Sequence, residues 1–172
     1  DILVSDSVPK GTVTILSDKD KDGKADGERK VLIDGLDRPY GMAFWKDYLY
    51  VGEPTSLKRY KFDSKAMTVG KGEEVVNMAG FDKGHWTRAI VFDGKGSKLY
   101  LNIGSGSNAA PDDDPRRATI QECNPDGSNC QTYAAGVRNA TGIAFRPGSG
   151  ELWMSVQERD GLGDDLVPDY LT

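Results

Sequence analysis

The sequence predicts an all-β protein, a partial β-propeller of about three four-stranded blades out of an expected six. Three copies of one pattern lead to this prediction: an arginine-containing lead-in, a short strand ending in phenylalanine, a tight turn and a second strand. The phenylalanines that mark the copies, Phe44, Phe92 and Phe145, are 48 and 53 residues apart. Repeats of about 40 to 50 residues with several short strands each are typical of propeller blades, whereas helical repeats would show a periodicity of about 3.6 residues.

Length and charge indicate one domain with few classes of partner. We expect a single partial propeller over residues 1–172, with repeats centred near residues 36–53, 84–105 and 137–158. The formal charge of −5 argues against a nucleic-acid partner, which needs clustered Lys and Arg. No apolar run reaches the roughly 18 to 20 residues that span a bilayer. No signal peptide is recognisable, and the opening at Asp1 is what we expect of a processed or trimmed product.

The first elements are a strand over residues 11–16, an acidic loop and a returning strand over residues 29–36. The acidic loop places carboxylates at positions 1, 3, 5 and 9 and a glycine at position 6, like the start of a calcium-binding loop. These carboxylates are Asp18, Asp20, Asp22 and Asp26. Position 12 is Arg29, where an EF-hand needs a bidentate Glu, so an EF-hand is excluded. Two readings stay open: a structural calcium loop, or a solvated hairpin tip.

The outer strands and the cysteines complete the blades. Alternating and β-branched residues predict further strands over residues 57–62, 73–78, 88–92, 98–103, 118–123 and 130–133. Cys123 and Cys130 flank the turn sequence Asn-Pro-Asp-Gly, so they are expected to face each other across a hairpin. We favour a disulfide over two free thiols, which points to a periplasmic or secreted protein.

The repeat lead-ins carry the candidate functional residues. They place Arg38, then His85 with Arg88, then Arg138 with Asn139 at equivalent positions, hence around one rim of the propeller. Arginine offers a fork of donors for carboxylates, and histidine can accept a proton near neutral pH. This set of side chains suits an anionic, planar ligand.

Several motifs, taken in order, resemble the glucose/sorbosone dehydrogenase family, and the closing stretch is most similar to the sorbosone dehydrogenase-like branch. The motifs are His85 before a strand, the strand end at residues 101–104, Asn-Pro-Asp-Gly at 124–127, Gly-Val-Arg-Asn at 136–139 followed by Gly-Ile-Ala-Phe at 142–145, and residues 158–165. The resemblance implies a six-bladed propeller that uses pyrroloquinoline quinone (PQQ) and calcium to oxidise a sugar hydroxyl or aldehyde.

The resemblance also implies roles for particular residues. His85 is expected to be the general base, and Arg138 to stabilise charge on the quinone oxygen. Arg138, Asn139 and Arg88 are the expected cofactor-binding residues, although Arg88 lies closer to His85 than in glucose-oxidising members. Main-chain carbonyls of Glu158 and Arg159 are expected to bind calcium.

Length sets this chain apart from the family that it resembles. Three repeats make about half of a six-bladed ring, so the chain is similar to the N-terminal half of such an enzyme. It could be a fragment, a half completed by a second chain, or one partner in a homodimer. The expected partners are a sugar substrate and an artificial or respiratory electron acceptor. A non-catalytic propeller that binds a ligand or a protein is the alternative.

Overall fold

Fifteen β-strands account for the regular structure in the computed structural model, which describes residues 1–172. Those of the first half are β1 (Ile2–Ser5), β2 (Pro9–Leu16), β3 (Lys30–Asp37), β4 (Met42–Trp45), β5 (Tyr48–Glu53), β6 (Ser56–Asp63), β7 (Thr68–Val69) and β8 (Glu73–Asn77). Those of the second half are β9 (Ile90–Phe92), β10 (Leu99–Ile103), β11 (Thr119–Cys123), β12 (Gln131–Ala135), β13 (Ala140–Phe145), β14 (Leu152–Val156) and β15 (Tyr170–Leu171). The structure contains no helix that is long enough and apolar enough to cross a membrane.

The strands form four antiparallel sheets in chain order. The first sheet is β1-β2-β3, the second contains β4 to β8, the third is β12-β11-β10-β9, and the fourth is β13-β14-β15. The three sequence repeats supply the strand pairs β4–β5, β9–β10 and β13–β14. Strand β4 contacts β9, and β9 contacts β13, so the first strands of three successive sheets lie side by side. This arrangement confirms the all-β class and the partial propeller, with residues 2–37 forming a sheet of their own before the first repeat.

Alternation along the strands explains how the sheets stack. Successive side chains of a strand point to opposite faces, and in β5 both faces are buried. Leu49 and Val51 pack against the first sheet, whereas Tyr50 between them packs against Leu99 and Leu101 of the third. In the third sheet, Tyr100 turns the other way and packs with Met154 of the fourth. The second and third sheets are therefore covered on both faces by their neighbours, as in a propeller.

The cysteine hairpin forms as the turn sequence predicts. Cys123 and Cys130 are joined by a disulfide between β11 and β12, which confirms that prediction. Gly127 in the turn has a φ of +82°, and a Cβ there would lie 1.9 Å from the Val75 carbonyl oxygen. The Tyr50 hydroxyl donates to the carbonyl of Pro125 at 2.8 Å, so the hairpin tip is packed on the second sheet.

The two terminal sheets each have an uncovered apolar face. In the first sheet, Ile2, Val4 and Val31 are exposed, and in the fourth sheet Trp153 and Leu171 are exposed. Such faces are normally buried against a neighbouring blade of a propeller.

Candidate functional site

The lead-ins of the three repeats meet at one end of the sheets, which we call the mouth. The Gly41 amide donates to the Arg88 carbonyl at 3.1 Å, and the Ser105 amide donates to the Arg138 carbonyl at 2.8 Å. The Tyr40 hydroxyl reaches past the second lead-in to the carbonyl of Thr141 in β13, at 3.1 Å. The predicted rim residues are thus held together by main-chain contacts between successive sheets.

Gly104, directly after β10, lets two candidate residues approach the same point. A Cβ on Gly104 would lie 2.5 Å from the His85 Cβ and 2.9 Å from the Asn139 Oδ1. Carbon atoms in unstrained contact are about 3.5 to 4.0 Å apart. A side chain larger than that of glycine would therefore push His85 and Asn139 away from each other.

Ser105 orients the ring of His85. The Nδ1 atom lies 2.9 Å from the Ser105 carbonyl oxygen and 2.9 Å from the Ser105 Oγ. The Ser105 hydroxyl donates its own proton to the Ser107 carbonyl at 2.7 Å, so Nδ1 is the donor in both contacts. In a neutral imidazole this contact assigns the proton to Nδ1, so that the lone pair lies on Nε2, which makes no hydrogen bond within the chain.

Arg138 lies at the mouth with most of its donors engaged. It is 8% exposed. Its Nε donates to the Asn108 carbonyl, its Nη2 to Asn108 Oδ1 and to Asp160, and its Nη1 to the Gln157 carbonyl. A guanidinium has five N–H groups, so one N–H of Nη1 remains for another partner.

Asn139 is buried beside Arg138, and both ends of its amide are used. Its Oδ1 accepts from the Thr87 hydroxyl at 3.3 Å, and its Nδ2 donates to Gln157 Oε1 at 3.0 Å. The Gln157 amide also donates to the Asn139 carbonyl at 2.9 Å. Asn139 thereby joins the His85 lead-in to the end of β14.

Arg88 lies behind the mouth, which replaces the expectation that it contacts a cofactor. Its side chain has no exposed surface, and all five of its N–H groups donate to main-chain carbonyls. Burial, followed by the charges of Arg117 and Arg38, lowers the pKa of Arg88 to about 9, so it stays protonated at neutral pH. With no free donor and no accessible surface, Arg88 cannot bind a ligand in this arrangement.

Arg38 contributes to the mouth through an ion pair and an aromatic contact. Its guanidinium forms two hydrogen bonds with Asp37, at 2.9 and 3.0 Å. These bonds lower the pKa of Asp37 and raise that of Arg38. The guanidinium carbon also lies 5.5 Å from the centre of the Trp86 ring.

An open cleft of about 440 Å³ lies beside Arg138 and is lined in part by Glu158 and Arg159, whose main-chain carbonyls are predicted to bind calcium. Its lining includes Ser105, Arg138, Glu158, Arg159, Asp112 and Asp114. The carbonyls of Glu158 and Arg159 accept no hydrogen bond within the chain, so both are available as ligands. Hydrogen bonds from the Arg116 side chain and amide lower the pKa of Asp114 to about 2.

The acidic loop lies at the opposite end of the first sheet from the mouth. It joins the end of β2 to the start of β3, whereas the end of β3 leads into the mouth. Carboxylate oxygens of Asp18, Asp20 and Asp22 lie within 4.8 Å of one another, and Asp18 Oδ1 is buried without a partner. Asp26, the fourth predicted ligand, instead accepts a hydrogen bond from the Lys19 amide at 2.5 Å. These carboxylates are separate from the His85 site.

The sequence does not single out two residues of the site, Ser105 and Asn108. Both fall in the turn-rich stretch after β10, where Gly and Ser are common and no spacing distinguishes one polar residue from the next. The Asn108 side chain accepts from Arg138 and from the Asp160 amide and donates to the Asp160 carbonyl. Only the fold shows that Asn108 ties this loop to Arg138.

The stacked antiparallel sheets define the class of protein as a β-propeller, of which this chain forms a part. The TrAA12-like family matches residues 1–167, and this chain belongs to that family. An uncharacterised protein of Borreliella burgdorferi is 30% identical over 146 residues, which are 79% of this chain and 38% of that protein. The chain thus spans well under half the length of this relative.

Solved structures share the fold. A Trichoderma reesei protein of Carbohydrate-Active Enzymes Family AA12, an iodide structure, superposes with a TM-score of 0.74 at 21% identity, over 92% of this chain and 43% of that one. The PQQ domain of pyranose dehydrogenase from Coprinopsis cinerea, in its holo form, gives a TM-score of 0.73 at 20% identity, over 92% and 42% of the two chains. A calcium structure of the T. reesei Family AA12 protein also superposes on this chain. The chain therefore covers less than half of these propellers.

Proposed function

We propose that this chain is part of a PQQ- and calcium-dependent oxidoreductase that oxidises a sugar hydroxyl or aldehyde. The observation that carries the proposal is the packing around Gly104, where the His85 Cβ, the Asn139 Oδ1 and the Arg138 carbonyl oxygen all lie within 3.4 Å of one Cβ position, beside the single unused N–H of Arg138. Membership of the TrAA12-like family supports this choice of reaction. A sorbosone-type substrate is the finer form of the same proposal.

The residues at the mouth fit a planar, anionic cofactor. The unused N–H of Arg138 would donate to an anionic oxygen of PQQ, and Asn139 would hold the neighbouring main chain in place. When bound, PQQ would accept a hydride from the substrate carbon, and calcium would polarise the quinone oxygen. The carbonyls of Glu158 and Arg159, with the carboxylates of the adjoining cleft, would hold the calcium ion.

His85 supplies the proton acceptor. Its Nε2 would take the proton of the substrate hydroxyl while the bonded carbon loses hydride, so that the substrate loses two electrons in all. The Nδ1–H group would stay hydrogen-bonded to the two Ser105 oxygen atoms throughout, which would keep the ring in the orientation and tautomer that the transfer requires. The imidazolium that forms would be stabilised by the same two oxygen atoms of Ser105.

The remainder of the active protein would come from further blades, supplied by the same polypeptide, a second chain or a second copy. The uncovered faces of the first and fourth sheets are the surfaces on which such blades would pack. The partner that takes up the two electrons lost by the substrate would be an artificial or respiratory electron acceptor. The disulfide supports a periplasmic or secreted location.

Binding and turnover can be tested separately on this chain. PQQ is titrated in the presence of calcium and followed by its absorbance, and dye reduction is then measured with a panel of aldoses. We expect His85→Gln to bind PQQ like the wild type but to lose about 10²- to 10⁴-fold in rate, the usual contribution of a general base.

Arg138→Lys is the variant that tests cofactor binding. We expect it to weaken PQQ binding by at least about tenfold, because a charge-assisted hydrogen bond is worth roughly 1.5 to 3 kcal/mol. Arg146→Lys is the matched control, because Arg146 is exposed and pairs with Glu151 at the other end of the fourth sheet. Absence of PQQ binding, or a His85→Gln variant with the wild-type rate, would contradict the proposal.

A non-catalytic binding module is the second candidate, and one observation favours it. Four of the five Arg138 donors and both ends of the Asn139 amide are already satisfied within the chain. Absence of PQQ binding, together with no dye reduction for any aldose, would support this second candidate over the enzyme.

A further inference from the structure

Arg88 is the largest side chain with no exposed surface, and it has no carboxylate partner. Its Nε and Nη2 donate to the Pro54 carbonyl at 3.2 and 2.9 Å, and Nη2 also donates to the Phe81 carbonyl at 2.7 Å. Its Nη1 donates to the carbonyls of His85 and Thr87 at 2.9 and 2.7 Å. All five N–H donors of the guanidinium therefore bind main-chain carbonyl oxygens, and none binds a side chain.

Such an arrangement is costly, which indicates that the four carbonyls have few other partners. Taking a charge out of water without a counter-ion carries a large desolvation penalty, and only good hydrogen bonds offset it. Three of these carbonyls, those of Phe81, His85 and Thr87, lie between β8 and β9, where no strand provides hydrogen-bond partners. Arg88 supplies those partners from inside the protein.

The second sheet is shaped to receive Arg88. A Cβ on Gly41 would lie 2.3 Å from the Arg88 carbonyl oxygen. A Cβ on Gly52 would lie 2.7 Å from the same oxygen and 2.9 Å from the Arg88 Cβ. Pro54, which accepts two of the five hydrogen bonds, follows the end of β5. Arg88 therefore fixes the His85 lead-in to a rigid edge of the neighbouring blade.

We infer that Arg88 is a positioning residue for His85. It clamps the main chain at Phe81, His85 and Thr87 to Pro54, and this clamp keeps the imidazole on Ser105 with Nε2 facing away from that contact. This role matters for catalysis only under the proposed function, in which Nε2 is the proton acceptor. The clamp itself exists without any ligand and can be tested in the free protein.

The single histidine of the chain makes that test direct, because every imidazole signal in a ¹⁵N-labelled sample belongs to His85. In the wild type, the imidazole nitrogen shifts should report the Nδ1–H tautomer, and the His85 amide, which donates to the Ser105 carbonyl, should be protected from hydrogen exchange. In Arg88→Lys, which has three donors in place of five, we expect this amide to exchange at least about tenfold faster. The imidazole shifts should move towards the average of the two tautomers.

Two further variants make the result unambiguous. Arg59→Lys is the matched control, because Arg59 pairs with Glu73 on the second sheet away from the mouth, and it should leave His85 unchanged. Gly52→Ala displaces Arg88 without changing its chemistry, because the added methyl group would lie 2.9 Å from the Arg88 Cβ. It replaces Arg88→Lys in the test if that variant does not fold, and it should disturb the same His85 signals. A folded Arg88→Lys or Gly52→Ala protein with a lowered melting temperature but wild-type His85 shifts and amide exchange would overturn the inference. Since no PQQ or sugar is present, this outcome is independent of the test of the enzyme.

Discussion

Replacing Gly104 by alanine tests the geometry of the site, because this glycine allows His85 and Asn139 to approach each other. The added methyl group would lie 2.5 Å from the His85 Cβ, 2.9 Å from the Asn139 Oδ1 and 3.4 Å from the Arg138 carbonyl oxygen. Since carbon contacts relax at about 3.5 to 4.0 Å, His85 or the end of β10 must move by roughly 1 Å. The His85 Cβ is attached to main chain that Ser105 and Arg88 hold, so it cannot move aside without breaking hydrogen bonds.

Overpacking of this kind typically costs about 1 to 3 kcal/mol. For a chain of this size, each kcal/mol lowers the melting temperature by roughly 2 to 4 °C. We therefore expect Gly104→Ala to melt about 2 to 12 °C below the wild type and to shift the His85 imidazole signals. Thermal unfolding followed by circular dichroism and the ¹⁵N spectrum of the single histidine are the two measurements.

Gly94→Ala is the matched control, because a Cβ on Gly94 meets no atom within 4 Å and its φ is negative or extended. This variant should stay within about 0.5 kcal/mol of the wild type, as surface substitutions usually do. If Gly104→Ala melted like Gly94→Ala and left the His85 spectrum unchanged, the close approach of His85 and Asn139 would be refuted.

Three further predictions concern stability. Calcium bound by the acidic loop (residues 18–26) should raise the melting temperature, because it adds about 2.7 kcal/mol to the free energy of unfolding at a calcium concentration one hundred times the dissociation constant. Asp22→Asn should weaken this effect. Equal melting temperatures with calcium and with a chelator would argue for a solvated hairpin tip. Replacing Cys123 and Cys130 by serine should cost about 2 to 3 kcal/mol in the chain-entropy model, measured by urea unfolding, and an unchanged midpoint would contradict it. Burial raises the pKa of Tyr60 to about 12, whereas the same side chain in the unfolded chain ionises near pH 10. The free energy of unfolding should therefore fall as the pH rises from about 10 towards 12. Tyr60→Phe should lose less stability in that window, and identical pH profiles for the two proteins would count against the raised pKa.

Local pattern was sufficient to predict the strand pairs. The repeats marked by Phe44, Phe92 and Phe145 correspond to β4–β5, β9–β10 and β13–β14, because period-2 alternation and turn residues act over a few neighbours. The disulfide followed from the turn between Cys123 and Cys130 for the same reason. The short strands β1, β7 and β15 were not predicted, since their pairing depends on a partner strand more than on their own sequence.

The roles of the arginines could not be predicted, because burial is set by other parts of the chain. Arg88 and Arg138 occupy equivalent places in successive lead-ins, yet Arg88 is enclosed by the second sheet while Arg138 faces a cleft. The enclosure depends on Gly41, Gly52 and Pro54, which are more than 30 residues away in sequence. Spacing alone therefore brought the lead-ins together as a candidate site, but it could not show that the Arg88 side chain is enclosed by main chain.

The acidic loop was predicted in part. Alternating carboxylates do bring Asp18, Asp20 and Asp22 together, as expected for side chains on a tight turn. Asp26 is instead held by the Lys19 amide within the loop. Local hydrogen bonding by aspartate competes with ligand binding in such loops, and a spacing pattern does not show which one prevails.

The central claim is that His85, Arg138 and Asn139 form one ligand site at the mouth. A titration of the ¹⁵N-labelled chain with PQQ and calcium, followed at the single imidazole, tests it most directly. The account predicts a saturable shift of the Nε2 resonance that is weakened at least tenfold in Arg138→Lys and unchanged in Arg146→Lys. A His85 signal that does not move, or that moves equally in all three proteins, would contradict it.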